Sequence, residues 1–175
     1  MATVYFYNAK TEYSPKNKQL ISNTAKEIVK RLASRYLSVC FENIEIEMGK
    51  NGKPYIRGYD NFHFNISHSD SAIAVAVDTD EIGVDIEKLR KADFRICNRF
   101  FTESEKEYVE NCDRRFFQIW TKKEAYIKRH GLALKDLKKT CSDNIFTTEI
   151  EGFIISVSQS KNSDIDIIVL ENLKD

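Results

Sequence analysis

Ile73-Ala74-Val75-Ala76-Val77-Asp78-Thr79-Asp80-Glu81-Ile82-Gly83-Val84-Asp85-Ile86-Glu87 holds two strand signals of different kinds. From Ile73 to Val77 every residue is small or β-branched and apolar, the composition of a central strand covered on both faces. From Ile82 to Glu87 the pattern alternates. Ile82, Val84 and Ile86 therefore face one way, and Gly83, Asp85 and Glu87 the other. The polar junction at 79–81 divides the chain into halves 1–80 and 81–175. Upstream, residues 4–7 read as a short strand. From Leu20, apolar residues recur at Ile21, Ala25, Ile28, Leu32 and Tyr36, the stripe of one buried helix face. Segments 45–48 and 54–56 flank Asn51-Gly52, a hairpin-turn signal. Phe62, Phe64 and Ile66 alternate with His63, Asn65 and Ser67, as in a half-buried strand. Downstream, helices are expected from about Glu103 and from about Arg114 to Arg129, and 150–170 reads as a hairpin around 160–164. The expected fold class is α+β, mixed helices and strands in each half.

Bulk properties narrow the function classes. The 175 residues are 42% hydrophobic, enough for a sizeable core, and 27 basic residues balance 27 acidic ones. No global field draws the protein to nucleic acid or to an anionic membrane, so any anion site must be local. Cys40, Cys97, Cys112 and Cys141 are widely spaced and form no C-x-x-C pair, which fits reduced thiols. The first ten residues carry no basic n-region or long apolar stretch, so no secretory leader is expected. No apolar run reaches the roughly 18 residues of a spanning helix. A cytoplasmic protein is the expectation, with no membrane and no nucleic-acid partner.

Three segments could carry chemistry. Asp85 and Glu87, two apart on one strand face, stand roughly 6–7 Å apart at Cα. Both can turn oxygens to one hard cation such as Mg2+. Gly83 reads as open space beside them. An exposed acidic strand end would look the same. In Trp120-Thr121-Lys122-Lys123-Glu124-Ala125-Tyr126-Ile127-Lys128, helical spacing puts Trp120, Glu124 and Lys128 on one stripe with Lys123 beside it. This is either a surface i, i+4 pair or a face holding a metal and phosphate oxygens. Asn65-Ile66-Ser67-His68-Ser69 ends a strand in hydroxyls and an imidazole, suiting an anion cradle or a structural hydrogen-bond cluster. Thr102 with Glu105 three residues on is a capping box.

Taken in order, these pieces resemble the 4'-phosphopantetheinyl transferases of the larger, pseudodimeric (Sfp-like) type. The matching blocks are Gly52-Lys53-Pro54, Phe64-Asn65-Ile66-Ser67-His68-Ser69, Gly83-Val84-Asp85-Ile86-Glu87, Arg99-Phe100-Phe101 with Glu105, and Trp120-x-x-Lys123-Glu124-x-x-x-Lys128. The resemblance implies two pseudo-symmetric lobes, each a small antiparallel sheet packed on a long helix, with the active site in the cleft between them. It implies transfer of the 4'-phosphopantetheine group from coenzyme A to a serine of an apo acyl or peptidyl carrier protein, with 3',5'-ADP as leaving group. Asp85, Glu87 and Glu124 would bind Mg2+. Lys123 and Lys128 would hold phosphate oxygens, Ser67 and His68 would contact the phosphates, and Lys53 with Pro54 would flank the adenine. Glu105 would be either the base that deprotonates the serine or only the helix cap. A monomer is expected.

The chain departs from the family in two places. Lys18 and Gln19 stand where an arginine and a threonine usually open the leading helix, leaving Lys16 and Lys18 as candidates for the 3'-phosphate. Arg129-His130-Gly131-Leu132 offers one glycine where two are common. Carrier docking is expected near Arg114, Arg115 and residues 128–139, where basic residues concentrate. The competing readings are a metal-dependent phosphodiesterase or nuclease, and a non-catalytic binding module of the same fold. The first would want a basic groove, which the charge balance disfavours.

Overall fold

Ala72-Ile73-Ala74-Val75-Ala76-Val77 interleaves small and branched residues, and the structure uses both sets. Ile73, Val75 and Val77 pack under a long helix, while Ala72, Ala74 and Ala76 face a second sheet. The computed structural model describes residues 1–10, 17–49, 52–140, 142–161 and 163–172. Lys16, Asn51 and Cys141, named above, lie outside them.

The described elements are β1 (Ala2–Asn8), α1 (Lys18–Leu37), β2 (Ile46–Met48), β3 (Pro54–Ile56), β4 (His63–Ser69), β5 (Ala72–Asp78), β6 (Ile82–Lys88), α2 (Arg95–Phe100), α3 (Glu103–Val109), α4 (Asp113–His130), β7 (Phe146–Ile150), β8 (Phe153–Gln159) and β9 (Ile165–Leu170). Short 3-10 turns occupy Phe41–Asn43 and Leu134–Lys139. The fold is α+β, built on small, largely antiparallel sheets.

Two sheets stack face to face. One runs β4-β5-β1-β9, the other β6-β8-β7, and β2 and β3 pair separately. Between the stacked sheets lie Val4 and Phe6 of β1, the alanines of β5, Val84 and Ile86 of β6, and Phe153, Ile155 and Val157 of β8. Alanine on one side leaves room for the branched and aromatic side chains of the other, the small-against-large interdigitation that a close-packed core requires. On the outer face of the first sheet, α1 buries Ile21, Ala25, Ile28, Val29 and Leu32. The expected stripe is present, although Leu20 and Tyr36 remain exposed at its ends. The outer face of the second sheet carries α4, with Phe116, Phe117 and Ile119 packed among residues of α2 and α3. α2 was missing from the sequence reading, because its six residues are too few to show a helical period.

The two sheets repeat one topology. β1-α1-β4-β5 gives the spatial order β4-β5-β1, and β6-α4-β7-β8 gives β7-β8-β6. Register matches too. Thr3, Tyr5 and Tyr7 of β1 oppose Val77, Val75 and Ile73 of β5, as Gly83, Asp85 and Glu87 of β6 oppose Ser158, Ser156 and Ile154 of β8.

The C-terminal end corrects the sequence reading. The hairpin is β7–β8, turned at Glu151 and Gly152, which both take positive φ (50° and 77°). That is the backbone of a tight turn matched to strand twist. β9 does not pair with β8. It crosses to the first sheet and lies parallel to β1, Ala2 opposite Ile165 and Tyr7 opposite Leu170. A strand from the half 81–175 thus completes the sheet of the half 1–80. The β2–β3 connection also differs from a two-residue turn: the Gly49 N–H donates to Lys53 O at 2.8 Å, and Gly52 takes φ +77°.

Candidate functional site

The site forms where β4 and β6, the neighbouring edge strands of the two sheets, meet under the C-terminal half of α4. Edge strands leave backbone N–H groups without partners. Here β4 supplies two of them from the side chains of Asn65 and Ser69. Val84 N–H donates to Asn65 Oδ1 at 3.0 Å, and Lys88 N–H to Ser69 Oγ at 3.1 Å. Between them, the Ser67 hydroxyl donates to Asp85 Oδ1 at 2.8 Å, and the Ser69 hydroxyl to Glu87 Oε2 at 3.1 Å. The polar face of β4 therefore both joins the sheets and orients the two carboxylates. His68 points the other way, on the face of β4 that carries Phe64 and Ile66.

α4 closes the site from above, at a distance set by Gly83. A methyl on that residue would lie 2.5 Å from Arg129 N and closer still to Ala125 O. The glycine does not leave open space, as the sequence reading had it, but lets strand and helix backbones touch. That contact brings Lys128 down onto the strand, where its ammonium donates to Asp85 Oδ1 at 2.6 Å and to Ser67 Oγ at 2.8 Å. Glu124, one turn earlier, has its carboxyl pushed up to about 7, first by burial, then by repulsion from Asp85 and Glu87, with Lys128 opposing. Burial and Asp85 also raise Glu87, against Arg90 and Ser69. Three mutually repelling carboxylates thus lie near one another, with Lys128 on Asp85 and Arg90 on Glu87.

These groups suit a divalent cation chemically. Asp85 is 5% exposed, and its Oδ2 is buried without a hydrogen-bond partner. A buried, unpaired carboxylate oxygen is costly unless something positive meets it. All three donors are hard oxygens, the kind Mg2+ prefers. Among the described residues no three acidic, imidazole or thiol side chains are already drawn together as metal ligands. In the structure the cation on Asp85 is the lysine ammonium.

The cleft beside this cluster has a volume of about 220 Å³ and is lined by Lys53, Pro54, Ile66, Lys128, Gly131 and Leu132, among others. Lys53 pairs with Glu81 and donates to Arg129 O at 2.9 Å, bridging β3 to the end of α4. His68 has its pKa lowered from 6.5 by burial first, then by Lys128 and Lys18. Lys18, at the start of α1, lies near enough to His68 to act on its charge.

Two predicted site residues are placed elsewhere. Lys123 is 0% exposed and does not reach the cleft. Its ammonium is bound to both oxygens of Glu105, each at 2.9 Å, and to Thr140 O at 3.2 Å. A lysine one residue before Glu124 points about 100° away around the helix, into the packing between α4 and α3. Glu105 does form the capping box: Thr102 N–H donates to Glu105 Oε2 at 2.8 Å, and Glu105 N–H to Thr102 Oγ1 at 3.3 Å. Sequence reasoning missed this pair, as well as Ser142, which donates to Glu105 Oε1 at 2.9 Å. No spacing rule links residues 105, 123 and 142. Trp120 stacks on Phe116 and meets Phe100 edge-on. Cys40, Cys97 and Cys112 are free, and among the described residues no helix is long and apolar enough to cross a membrane.

Comparison with known proteins identifies a family. Residues 81–169 match the 4'-phosphopantetheinyl transferase superfamily. The chain is 35% identical to the 4'-phosphopantetheinyl transferase psf-1 of Bacillus pumilus over 109 residues, 59% of this chain and 47% of that protein. It is 34% identical to the 4'-phosphopantetheinyl transferase Sfp of Bacillus subtilis over 113 residues, 61% of this chain and 50% of that protein. Over 126 residues it is 29% identical to the mouse L-aminoadipate-semialdehyde dehydrogenase-phosphopantetheinyl transferase, covering 61% and 41%. The chain spans about half the length of these curated relatives. By the match over 81–169, which takes in β6, α4 and the carboxylate cluster, the chain belongs to the 4'-phosphopantetheinyl transferase superfamily.

Proposed function

We propose that this chain transfers the 4'-phosphopantetheine group from coenzyme A to a serine hydroxyl of an apo carrier protein, releasing 3',5'-ADP. The observation that carries this reading is the buried, unpaired Asp85 Oδ2 beside the Lys128 ammonium at the seam of β6 and α4, with Glu87 and Glu124 near enough to repel Asp85. Asp85, Glu87 and Glu124 would hold Mg2+, which when bound neutralises charge on the diphosphate. Lys128 moves its ammonium from Asp85 to a phosphate oxygen. Ser67, His68 and Lys18 supply further positive or donor groups to the phosphates, and Lys53 with Pro54 walls the cleft beside the adenine.

In the transfer, the serine oxygen forms a bond to the pantetheine-side phosphorus as the bond to the ADP oxygen breaks. Glu124 takes the serine proton on a carboxylate oxygen not engaged by the cation. Glu105 is not given this task, because Lys123, Ser142 and Thr102 already occupy its oxygens. The segments 1–80 and 81–175 would act as the two walls of the cleft, with β9 tying the second to the first. The carrier would dock near Leu132, Leu134, Lys135, Lys138 and Lys139, all exposed. Arg114 and Arg115 are engaged by Glu149 and Glu110, which makes them the weaker part of the expected surface.

The test is direct. The protein is mixed with coenzyme A, Mg2+ and an apo carrier, and the carrier is weighed. A gain of one phosphopantetheine that EDTA prevents supports the reading, whereas an unmodified carrier across several carrier types removes it.

A further inference from the structure

Among the described residues, Lys123 and Glu105 form the most deeply buried ion pair, with side chains 0% and 9% exposed. Their hydrogen bonding is complete. An ammonium has three protons, and Lys123 places them on Glu105 Oε1, Glu105 Oε2 and Thr140 O. A carboxylate has about four acceptor sites. Glu105 fills them with two bonds from Lys123, one from the Ser142 hydroxyl and one from Thr102 N–H. Nothing is left on this carboxylate to accept a proton from outside. It joins the start of α3, the middle of α4, and Thr140 and Ser142 ahead of β7.

A buried pair of this kind does not have to add stability, since hydrophobic replacements of equal volume often do as well. What it adds is direction, because both charges are satisfied in one arrangement only. For α4 that direction matters. Gly83 sets how closely the helix approaches β6 but, lacking a side chain, does not resist its rotation. Lys123 immediately precedes Glu124, so a rotation of α4 that swung Glu124 or Lys128 off Asp85 would pull a buried ammonium from its partners.

We infer that Glu105 and Lys123 form a positioning clamp that sets the rotation of α4 and thereby aims Glu124 and Lys128 at Asp85. Neither residue touches substrate. The inference rests on the reading of the carboxylate cluster given above, and it moves Glu105 and Lys123 from the chemistry to its support.

The experiment compares the parent chain with Glu105→Gln, Lys123→Met and the double variant, measuring urea unfolding, Mn2+ affinity and phosphopantetheine transfer. Gln retains the capping box, and Met approximates the volume of Lys without its charge. Each single variant leaves one charge buried or one ion unpaired, so the folding equilibrium constant should fall roughly 10²-fold or more. Mn2+ should bind about 10-fold more weakly, the usual cost of losing a group that orients metal ligands. The double variant removes both charges together. It should recover most of the folding loss. Mn2+ binding should stay weaker than in the parent, because no charge pair then sets the rotation of α4. Weakened Mn2+ binding in a stable protein marks a lost clamp and not a lost proton acceptor.

A Glu105→Gln protein that folds and binds Mn2+ like the parent, loses transfer and is not rescued by Lys123→Met would overturn the inference and make Glu105 the base. Single variants silent in all three measurements would overturn it as well. If the single variants fold too poorly to assay, the double variant decides: folded with weakened Mn2+ binding supports the clamp, folded and binding Mn2+ like the parent refutes it. A parent that binds no Mn2+ has no cluster to position, and the clamp falls with it. A parent that binds Mn2+ but modifies no carrier strikes only the proposed transfer.

Discussion

The two strand–helix–hairpin units share topology and register, yet one is a core and the other a site. Beneath α1, β1 presents Thr3, Tyr5 and Tyr7, and the helix answers with Ile21, Ala25 and Ile28. Beneath α4, the equivalent positions of β6 are Gly83, Asp85 and Glu87, and the helix answers with Glu124 and Lys128. One backbone arrangement thus serves two purposes according to three residues on a strand and a few on a helix. Architecture places the helix over the strand, and residue identity decides whether the space between them is filled with apolar groups or with charge.

The strongest way to break the contrast is to give the second unit a side chain where only the first has one. Gly83→Val should push α4 off β6, because the obstacles are backbone atoms that cannot rotate away. A loss of at least ~3 kcal/mol is expected, the upper end for overpacking, read as a fall in the urea midpoint. A stable, active variant would show that the close approach is unnecessary.

A paired exchange sharpens the comparison. Asp85→Asn should reduce transfer by roughly 10³-fold or more, consistent with loss of preorganised charge at the reacting centre. Stability should stay within about 1 kcal/mol, since the lost Lys128 pair is offset by relief of repulsion with Glu87 and Glu124. Tyr5→Ala, at the matching position of β1, should do the reverse. About 2–4 kcal/mol of stability should go, with turnover of the folded fraction little changed. Stability and activity assays on both proteins check this, and equal patterns would erase the distinction between core and site.

A smaller effect concerns the seam between the units. Asn65→Ala leaves the buried Val84 N–H without its acceptor, which should cost about 1–3 kcal/mol in thermal or urea unfolding. The least effect is electrostatic. His68 has its pKa lowered below 6.5 in the folded chain, so the unfolded chain takes up the proton first as pH falls. His68 therefore supports folding above pH 6.5, and that support is lost as pH drops below it, towards its depressed folded pKa. His68→Gln should flatten the stability profile in that window and leave it alone at higher pH. Binding of a diphosphate should raise the imidazole pKa, visible in its NMR titration, and a pKa unmoved by diphosphate would take His68 out of the anion corner.

Much of the molecule was readable from local periodicity. The i, i+2 alternation of 82–87 placed Val84 and Ile86 in the core and Asp85 and Glu87 on the opposite face, as the structure has them. The 3.6-residue stripe of α1 and the Thr102–Glu105 cap were equally legible, because each depends on neighbours within about one turn. The turn at Glu151–Gly152 was passed over in favour of one near 160–164, since alternation continues through both strands and does not say which neighbour each will choose.

The sequence by itself determined the strand faces, the helix stripes and the acidic and basic residues available to a site, because side-chain direction follows from backbone geometry one residue at a time. Only the tertiary structure decided that β9 lies parallel to β1, that Gly83 is a contact rather than a space, and that Lys123 turns inward to Glu105 while Lys128 reaches Asp85. Each of these depends on which surface meets which across tens of residues, and the energies that settle them, close packing and the pairing of buried charge, exist only once those surfaces are in contact.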